Sequence, residues 1–236
     1  MNNNSKFWIA GKHTVLEALK NKNNTIYKIL LQNSKNLNLV DSVNLNKTQI
    51  AKEKEIRSYL NNQDISHQGF LALIERKQKK IELKEIFNEN NIIILDNIND
   101  QRNIGAIIRT AYAFNIKTII TNKSEINDKS LLLNKTACGV IEKIKIFKVS
   151  NVVNIISDLK KNNFWIYCFD NNAKEFFNKK TLNQKNVFVF GSEEKGARSI
   201  VKSKCDFILK ININPEVESL NVSNSVTSVL TTLNSD

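Results

Sequence analysis

The stretch NIIILDNINDQRNIGAIIRTAYAF, residues 91–114, decides the fold class of the C-terminal part of the chain. Its first six residues are a short apolar run that predicts a buried β-strand. The apolar residues that follow recur at the spacing of one helical face: Ile104, Ile107, Ile108, Ala111 and Phe114. They predict a helix at about 103–115 that packs against a sheet. A buried strand followed at once by an amphipathic helix is typical of a parallel sheet covered by helices.

The same alternation of strands and helices continues to the C-terminus. Further predicted strands are KTIIT (117–121), KIKIFKV (143–149), FWIYCFD (164–170) and NVFVF (186–190). Further helices are predicted near 151–161, 197–203 and 221–233. Residues 81–236 therefore predict an α/β domain with a doubly wound parallel sheet, in which ligands bind beyond the carboxyl ends of the strands.

Residues 1–75 predict a separate, small α/β domain. GKHTVLEALK at 11–20 predicts a helix, and a second helix is predicted at about 49–60. YKILLQ at 27–32 and HQGFLALIE at 67–75 predict strands. The charged run RKQKK at 76–80 is then predicted to be a basic linker to the domain at 81–236.

Charge points to a polyanionic partner. The chain has 236 residues, a formal net charge of +12 and a pI near 9.5. A positive field of this size attracts nucleic acid. The alternative is that lysine serves as a solvated surface residue in a chain whose composition is shifted toward Asn, Lys and Ile.

Several classes of protein are disfavoured by the sequence. Cys138, Cys168 and Cys205 have neither CxxC nor Cys/His spacing, so neither a metal site nor a disulfide framework is expected. The N-terminus MNNNSKFWIAGKH lacks the apolar run of a signal peptide, and no segment approaches the roughly 20 apolar residues of a membrane span. We therefore expect a cytoplasmic protein with no metal and no membrane partner.

Three loops of the second domain could carry chemistry, and the first follows NIIILD. Arg109 lies off the apolar stripe of the predicted helix, so it faces solvent, a cleft or another subunit. Asn103 is placed to cap this helix or to serve a site.

The second loop, FVFGSEEKGA at 188–197, holds two of only six glycines in the chain. It continues as Ala197-Arg198 instead of Lys followed by Ser or Thr, which excludes a P-loop, and GxGxxG is absent. Glu193 and Glu194 would repel phosphates but tolerate a ligand with a cationic centre or sugar hydroxyls. Alternatively they are a solvated pair in a tight turn.

The third loop lies within LKININPEVESLNVSNSV, residues 209–226, which contains the only proline, Pro215. Ser219 and Asn221 bracket Leu220 at the start of the last predicted helix. Capping of that helix would explain one of these two polar residues but not both.

These three loops resemble, in order, the three motifs of the SpoU-type RNA ribose methyltransferases of the SPOUT superfamily. The matching stretches are NIGAIIRT (103–110), FGSEEKG (190–196) and SLNVS (219–223). GKHTVLEAL and HQG are similar to an accessory RNA-binding domain, akin to a ribosomal-protein fold, that one branch carries. The resemblance implies a C-terminal deep trefoil knot, S-adenosyl-L-methionine as cofactor, RNA as substrate and a homodimer.

The resemblance also implies roles for individual residues. By position, Gly191, Ile211 and Leu220 would contact the cofactor, and Gly196 would let the loop turn back into a helix. Arg109 would activate the ribose 2′-hydroxyl. Because a guanidinium is always charged, it is an unusual general base, and stabilisation of the developing alkoxide is at least as plausible. The residues implied to position the hydroxyl and Arg109 are Asn103, Glu193, Ser219 and Asn221.

Two residues are candidate RNA contacts, His67 in HQG and Arg102; for His67 the alternative is a hydrogen bond at the start of its strand. Some positions depart from the family pattern: Asp100-Gln101-Arg102-Asn103 stands where Asp-Pro-His-Asn is usual, and Ile211-Asn212-Ile213 where Ile-Pro-Met is usual. These changes affect loop rigidity more than the polar residues.

Three hypotheses for function follow. The first is an enzyme that methylates a guanosine 2′-hydroxyl of 23S ribosomal RNA, with transfer RNA as the alternative substrate. The second is an RNA-binding module of the same fold without catalysis. The third, a nicotinamide or nucleotide enzyme, lacks its phosphate loop.

Overall fold

The computed structural model describes residues 5–60, 64–77 and 81–234. The strands are β1 (Phe7–Ala10), β2 (Asn24–Leu31), β3 (Thr48–Ile50), β4 (Phe70–Arg76), β5 (Asn91–Asp96), β6 (Thr118–Asn122), β7 (Lys145–Val149), β8 (Trp165–Phe169), β9 (Glu175–Phe176), β10 (Asn186–Gly191) and β11 (Phe207–Lys210). The α-helices are α1 (Lys12–Lys20), α2 (Glu53–Ser58), α3 (Leu83–Phe87), α4 (Gln101–Ala113), α5 (Leu131–Ala137), α6 (Val152–Lys161), α7 (Ser199–Lys202) and α8 (Val222–Asn234).

Internal contacts divide the chain into two compact units. The first unit comprises Met1–Lys80 and Asp128–Lys143, and the second comprises Ile81–Asn127 and Ile144–Asp236. The segment Asp128–Lys143 comes between β6 and β7 in the chain but packs with the first unit.

The first unit is built on a four-stranded mixed sheet with the strand order β1-β4-β2-β3. β4 is antiparallel to β1 and β2, whereas β3 is parallel to β2. Val15 and Ala18 of α1 pack on one face of this sheet, and Ile56 of α2 packs on the other face with Leu30 and Leu71. Apolar side chains thus alternate between two cores, as the period of two along a strand requires.

Arg76 ties the segment Asp128–Lys143 to this sheet. It is the last residue of β4, although the sequence placed it in the predicted linker 76–80; residues 78–80 of that linker lie outside the described residues. Its half-buried guanidinium forms an ion pair with Glu142 and donates to Oδ1 of Asn134 at 2.9 Å and to the carbonyl oxygen of Asp128 at 3.1 Å. Buried guanidinium groups require such partners, so β4 and this segment stabilise each other.

The second unit is built on a seven-stranded sheet with the order β7-β6-β5-β10-β8-β11-β9. All of its strand pairs are parallel, which confirms the predicted α/β class with a parallel sheet. Gly191 at the end of β10 is in register with Asp96 at the end of β5. The carboxyl ends of the central strands therefore stop at the same edge of the sheet.

Helices bury the apolar faces that the sequence predicted. Val152, Ile156 and Leu159 of α6 pack with Ile94 and Val189 of the sheet. On α4, four residues of the predicted stripe are fully buried: Ile104, Ile107, Ile108 and Ala111. The fifth, Phe114, is half-buried where the helix ends. Within the described ranges, no helix has the length and apolar character needed to cross a membrane.

Candidate active site

The loops that follow β8, β10 and β11 line one cleft of about 210 Å³. All four residues that the sequence assigned to the cofactor line it: Gly191, Gly196, Ile211 and Leu220. Glu193 and Ser219 line it as well. The sequence-distant second and third motifs therefore meet at the carboxyl edge of the parallel sheet, where ligands bind in this fold class.

Glycine is required at two positions of the second loop for different structural reasons. At Gly191 a Cβ atom would lie 1.9 Å from the backbone nitrogen of Ala197 and 1.9 Å from the carbonyl carbon of Gly196. The returning strand of the loop therefore occupies the space that any side chain at Gly191 would need. Gly196 has φ +65°, a left-handed conformation that favours glycine. The loop is a tight hairpin, closed by a bridge between Ser192 and Gly196.

A buried ion pair anchors this loop to β5. Asp96 is fully buried, and its Oδ1 accepts hydrogen bonds from Nε of Arg198 at 2.9 Å and from Nη2 at 2.5 Å. Its Oδ2 accepts from the backbone N–H of Arg198 at 2.8 Å. The hydrogen bonds that Arg198 donates to the carboxylate of Asp96 raise the pKa of Arg198. Both oxygens of the buried carboxylate are thus satisfied by one residue of the loop.

A second ion pair links the loop region to β8. Lys202 of α7 pairs with Asp170, which directly follows β8, and both residues line the cleft. The side chain of Asp170 is 11% exposed and that of Lys202 is 25% exposed. Two ion pairs, at positions 198 and 202, therefore join the chain that follows β10 to the ends of β5 and β8.

Glu193 is the centre of a cluster of amide groups beside the cleft. Its Oε1 accepts hydrogen bonds from Nδ2 of Asn103 at 2.8 Å, from Nδ2 of Asn221 at 2.6 Å and from the backbone N–H of Val222 at 3.4 Å. Nδ2 of Asn221 also lies 3.0 Å from Oδ1 of Asn103. One residue from each of the three motifs thus contributes to a single hydrogen-bonded cluster.

Helix capping accounts for one of the contacts of the Asn221 side chain and for none of those of Asn103. Oδ1 of Asn221 accepts from the backbone N–H of Ser223 at 2.9 Å, so Asn221 caps α8 with its oxygen while its nitrogen serves the cluster. The interpretation of Asn103 as a helix cap is wrong, because α4 begins two residues earlier and is capped by Asp100, which accepts from the N–H of Arg102. The side-chain nitrogen of Asn103 is committed to Glu193 instead.

Comparison with known families matches residues 90–231 to the SpoU rRNA methylase family. The chain belongs to the SpoU rRNA methylase family. Residues 8–80 match a second family, described as RNA 2′-O ribose methyltransferase substrate binding. The resemblance inferred from the three motifs is thereby confirmed, and the chain is an RNA 2′-O-methyltransferase of the SpoU type.

Relatives with names in the same class span most of the chain. An uncharacterized tRNA/rRNA methyltransferase of Borreliella burgdorferi is 36% identical over 183 residues, which are 72% of this chain and 78% of that protein. The 23S rRNA (guanosine-2′-O-)-methyltransferase RlmB of Neisseria meningitidis is 27% identical over 234 residues, covering 94% of this chain and 92% of the relative.

Solved structures share the fold. The SpoU methyltransferase AviRb of Streptomyces viridochromogenes, in complex with AdoMet, superposes with a TM-score of 0.77 at 15% identity and covers 97% of this chain and 89% of its own. The AdoMet-bound rRNA methyltransferase of Sinorhizobium meliloti gives 0.78 at 18% identity, with 97% and 87% coverage.

S-adenosyl-L-methionine is the cofactor of SpoU methyltransferases, as the resemblance implied. The residues of the cleft fit this molecule chemically. The exposed acidic side chains of Glu193 and Glu194 complement its sulfonium cation, and Leu220 offers apolar surface to its adenine ring. Among the described residues no group of three or more His, Cys, Asp or Glu side chains could hold a metal ion.

Arg109 of this SpoU protein does not lie with the other motif residues. It is exposed on α4 and does not line the cleft. Six residues separate it from Asn103, which corresponds to about 9 Å along the helix and about 120° around it. Within one chain, Arg109 and Asn103 therefore face different directions.

His67 is buried and both of its ring nitrogens are engaged. Nδ1 accepts from the backbone N–H of Gly69 at 3.1 Å, and Nε2 lies 3.0 Å from Oε1 of Glu53. The hydrogen bond from His67 lowers the pKa of Glu53. The contact with Gly69 is a local hydrogen bond just before β4, and the contact with Glu53 joins His67 to α2. Contact of the ring with RNA would require it to leave one of these partners. Arg102, the other candidate, is exposed in the first turn of α4.

Four residues that fix the cleft were not predicted from the sequence: Asp96, Arg198, Asp170 and Lys202. Asp96 and Asp170 each end a predicted strand, NIIILD and FWIYCFD. Because carboxyl ends of parallel strands meet at one edge, an acidic residue at this position was the available signal. The sequence around Arg198 or Lys202 does not indicate which acidic residue it pairs with.

Proposed function

We propose that this protein transfers a methyl group from S-adenosyl-L-methionine to the ribose 2′-hydroxyl of a guanosine in 23S ribosomal RNA. The observation that carries the proposal is the cluster of Asn103, Glu193 and Asn221 beside the cleft, which joins all three motifs. The RlmB relative of Neisseria meningitidis, similar over 94% of this chain, supports the choice of guanosine.

The reaction requires a 2′-hydroxyl oxygen held in line with an electrophilic carbon and relieved of its proton. When bound, the cofactor supplies that carbon as a methyl group on a sulfonium. Asn103 and Asn221 hold the Glu193 carboxylate in one position through Oε1, so the carboxylate can orient the hydroxyl. Ser219, which lines the cleft, adds a second short polar group. The guanidinium of Arg109, which remains charged at every working pH, would stabilise the developing alkoxide while the hydroxyl proton passes to solvent water. The oxygen–methyl bond would form as the sulfur–methyl bond breaks, with S-adenosylhomocysteine as the leaving group.

We infer that Arg109 acts in the cleft of a second copy of the chain. Its exposure on α4, away from the Asn103 side of the helix, is what a residue shared across a homodimer requires. In such a dimer each cleft combines the Glu193 cluster of one subunit with Arg109 of the other.

Cofactor binding is proposed for Gly191, Gly196, Ile211 and Leu220, mainly through backbone groups. We also propose that the chain after β10 passes through a loop to form a C-terminal trefoil knot. The support is that the loops after β8, β10 and β11 line a single cleft, joined by a hydrogen bond from Asn171 to the carbonyl oxygen of Glu218 at 3.0 Å.

The first domain, proposed as residues 1–75 with a linker at 76–80, would bind the RNA. Its match to a substrate-binding family supports this role. His67 and Arg102 stay candidate contacts, and with ribosomal RNA as substrate we expect the protein to act in the cytoplasm.

Calorimetric titration with S-adenosyl-L-methionine, run beside S-adenosylhomocysteine, tests the cofactor site. We expect about one site per chain. Transfer of labelled methyl groups to unmodified 23S ribosomal RNA, with transfer RNA in a parallel reaction, then tests the substrate. Transfer only to transfer RNA would reassign the substrate, and binding of RNA without cofactor would leave an RNA-binding module.

The Arg109→Ala variant tests the division of roles. It should abolish methyl transfer while leaving cofactor binding nearly intact, and loss of cofactor binding would move Arg109 into the cofactor site. Mixing the inactive Arg109→Ala and Glu193→Gln variants tests the shared cleft. Random reassociation should restore about a quarter of the activity, because half of the dimers then contain one intact site. No restoration would mean that each cleft uses its own Arg109.

A further inference from the structure

One face of the sheet in the first unit carries aromatic rings and lysines together. Trp8 of β1 and Lys28 of β2 both stand opposite Leu73 of the central strand β4. Residues directly opposite each other in a sheet point to the same face, so these three side chains lie in one row. Ile56 of α2 covers this face around Leu71, and Trp8 packs partly against that cluster. Leu73 is only half-buried, so solvent reaches this end of the face.

Two further aromatic rings extend this row. The ring of Tyr59 lies 4.5 Å from that of Trp8, measured between centroids and tilted by 37°. Tyr27 stands at a register shift of β2, and its hydroxyl donates to Glu75 at 2.7 Å; Glu75 lies two residues from Leu73 and therefore on the same face. Tyr27 is 37% exposed, and Trp8 and Tyr59 are half-buried.

Lysine ammonium groups lie beside these rings. Nζ of Lys6 is 3.8 Å from the ring centroid of Tyr27, and Nζ of Lys28 is 5.5 Å from that of Tyr59. The carboxylate of Glu75 is the acidic group on this row, and it is bound by the Tyr27 hydroxyl, whose hydrogen bond lowers the pKa of Glu75. Rings with positive charge at their margins match unstacked bases joined by phosphates.

We propose that this face, formed by Trp8, Tyr27, Tyr59, Lys6 and Lys28 and here called the Trp8 face, is a stacking platform for single-stranded RNA. Bases of an unpaired segment stack on the rings, and the two ammonium groups contact the adjacent phosphates. The identity of the nucleic acid rests on the proposed function. Because stacking requires free base faces, the platform selects unpaired RNA over a duplex.

The chain contains only two tryptophans, which allows a direct test. In a Trp165→Phe background, Trp8 is the sole tryptophan. Titration with a mixed-sequence single-stranded RNA of 12 nucleotides should quench its fluorescence, and the same RNA annealed to its complement should quench it less. Binding of the single strand, detected by anisotropy, without any quenching would overturn the proposal, as would equal quenching by the duplex.

Variants in the same background identify the contributing groups. Tyr27→Leu should weaken single-strand binding by about 5-fold or more, the loss of one base–aromatic stack, whereas Tyr27→Phe keeps the ring and should bind like the parent. Lys6→Gln should reduce the salt dependence of binding by about one phosphate contact. Equal affinities of Tyr27→Leu and Tyr27→Phe would contradict the assignment.

Phe176 provides the matched control, since it is 53% exposed in the second unit with Nζ of Lys210 4.6 Å from its ring. Phe176→Leu should leave oligonucleotide affinity unchanged, and a loss as large as that of Tyr27→Leu would show that any exposed ring beside a lysine suffices. Methyl transfer is measured separately on the parent protein. If methyl transfer is absent but single-stranded RNA still quenches Trp8 and binding still depends on Tyr27, the proposed function is refuted and the platform is not. If methyl transfer is intact but RNA does not quench Trp8, the platform is refuted and the proposed function is not.

Discussion

Two carboxylates hold the loop from Gly191 to Arg198 in different surroundings: Asp96 at the end of β5 and Glu193 within the loop. Asp96 is fully buried and bonded by the guanidinium and backbone of Arg198. Glu193 is exposed at the mouth of the cleft and bonded by two neutral side-chain amides and one backbone N–H. Asp96 therefore has its charge neutralised and its oxygens occupied, whereas Glu193 keeps a negative charge that no cation within its cluster neutralises.

The difference indicates two roles: Asp96 stabilises the conformation of the loop, and Glu193 acts on the substrate. A buried charge that lost its cation would be uncompensated in a low-dielectric interior, so the Asp96 pair stabilises one loop conformation. Amide donors orient a carboxylate without neutralising it, which suits a group that must act on substrate. Four substitutions distinguish these two roles, from the largest expected effect on the free energy of unfolding to the smallest.

Arg198→Met should have the largest effect, because it leaves the buried Asp96 carboxylate without its cation. We expect a loss of about 3 kcal/mol, at the lower end for a broken buried pair since the Arg198 side chain is 43% exposed. Urea unfolding measures it. Lys160→Met, which removes a more exposed pair with Asp206 at 2.7 Å, is the matched control and should cost less than about 1 kcal/mol. Equal losses in the two variants would mean that the burial of Asp96 does not make the loss of its cation more costly.

Gly191→Ala should come next, because its Cβ would meet backbone atoms at 1.9 Å and force the loop to shift. We expect about 1–3 kcal/mol, the usual cost of overpacking, together with weaker binding of the cofactor in a calorimetric titration. Gly196→Ala is the comparison: a Cβ there would meet its neighbours at ordinary contact distances, but the backbone is left-handed, so about 1 kcal/mol is expected. A Gly191→Ala protein of unchanged stability would mean that the hairpin yields readily.

Glu193→Gln should change stability by less than about 1 kcal/mol, because the residue is exposed. Methyl transfer under single-turnover conditions should nevertheless fall about 100-fold, as expected for a misplaced reacting group. Glu194→Gln removes the same charge from the next residue, which makes none of the three hydrogen bonds, and with the cofactor saturating it should retain most of the rate. The idea fails if the two variants have the same rate.

Glu125→Gln should have the smallest effect, visible as a pH dependence. Glu125 lies near Asp96, and burial first, then the charge of Asp96, raises the pKa of Glu125. Protonation is therefore favoured in the folded state, so this group's contribution to stability is present below pH 4.5 and is lost as the pH rises through its elevated pKa. The neutral variant lacks this loss. Urea unfolding from pH 4.5 to 7 should show the stability difference moving steadily in favour of the variant, and a constant difference would contradict it.

The sequence predicted the elements whose signals are local and long. NVFVF at 186–190 became β10, and the stripe of Ile104, Ile107 and Ile108 became the buried side of α4, because burial against a sheet requires just these periodicities. Short elements were missed: β1 has four residues and β9 two, too few for a period to be visible. The predicted helix at 49–60 is shorter than expected, at Glu53–Ser58.

Site residues divide in the same way. Asn103, Glu193 and Asn221 stand in motifs, and the structure brings all three into one cluster. Asp96 and Arg198 form a pair across 102 positions of the chain, and neither neighbourhood indicates the other. The sequence around Arg198 indicated only that this loop is not a phosphate-binding loop. Pairs of this kind depend on how β5 and β10 come together, which no periodicity encodes.

The partners of Arg76 affect the order in which the protein can fold during synthesis. Asn134 and Glu142 lie in the segment Asp128–Lys143, so the ribosome must produce β5, α4 and β6 of the second unit before it delivers them. Domains usually fold in turn as they emerge, from the N-terminus onward. Here the first unit remains incomplete until residue 143 has emerged, and a nascent chain that stops at Lys80 leaves Arg76 without Asn134 and Glu142.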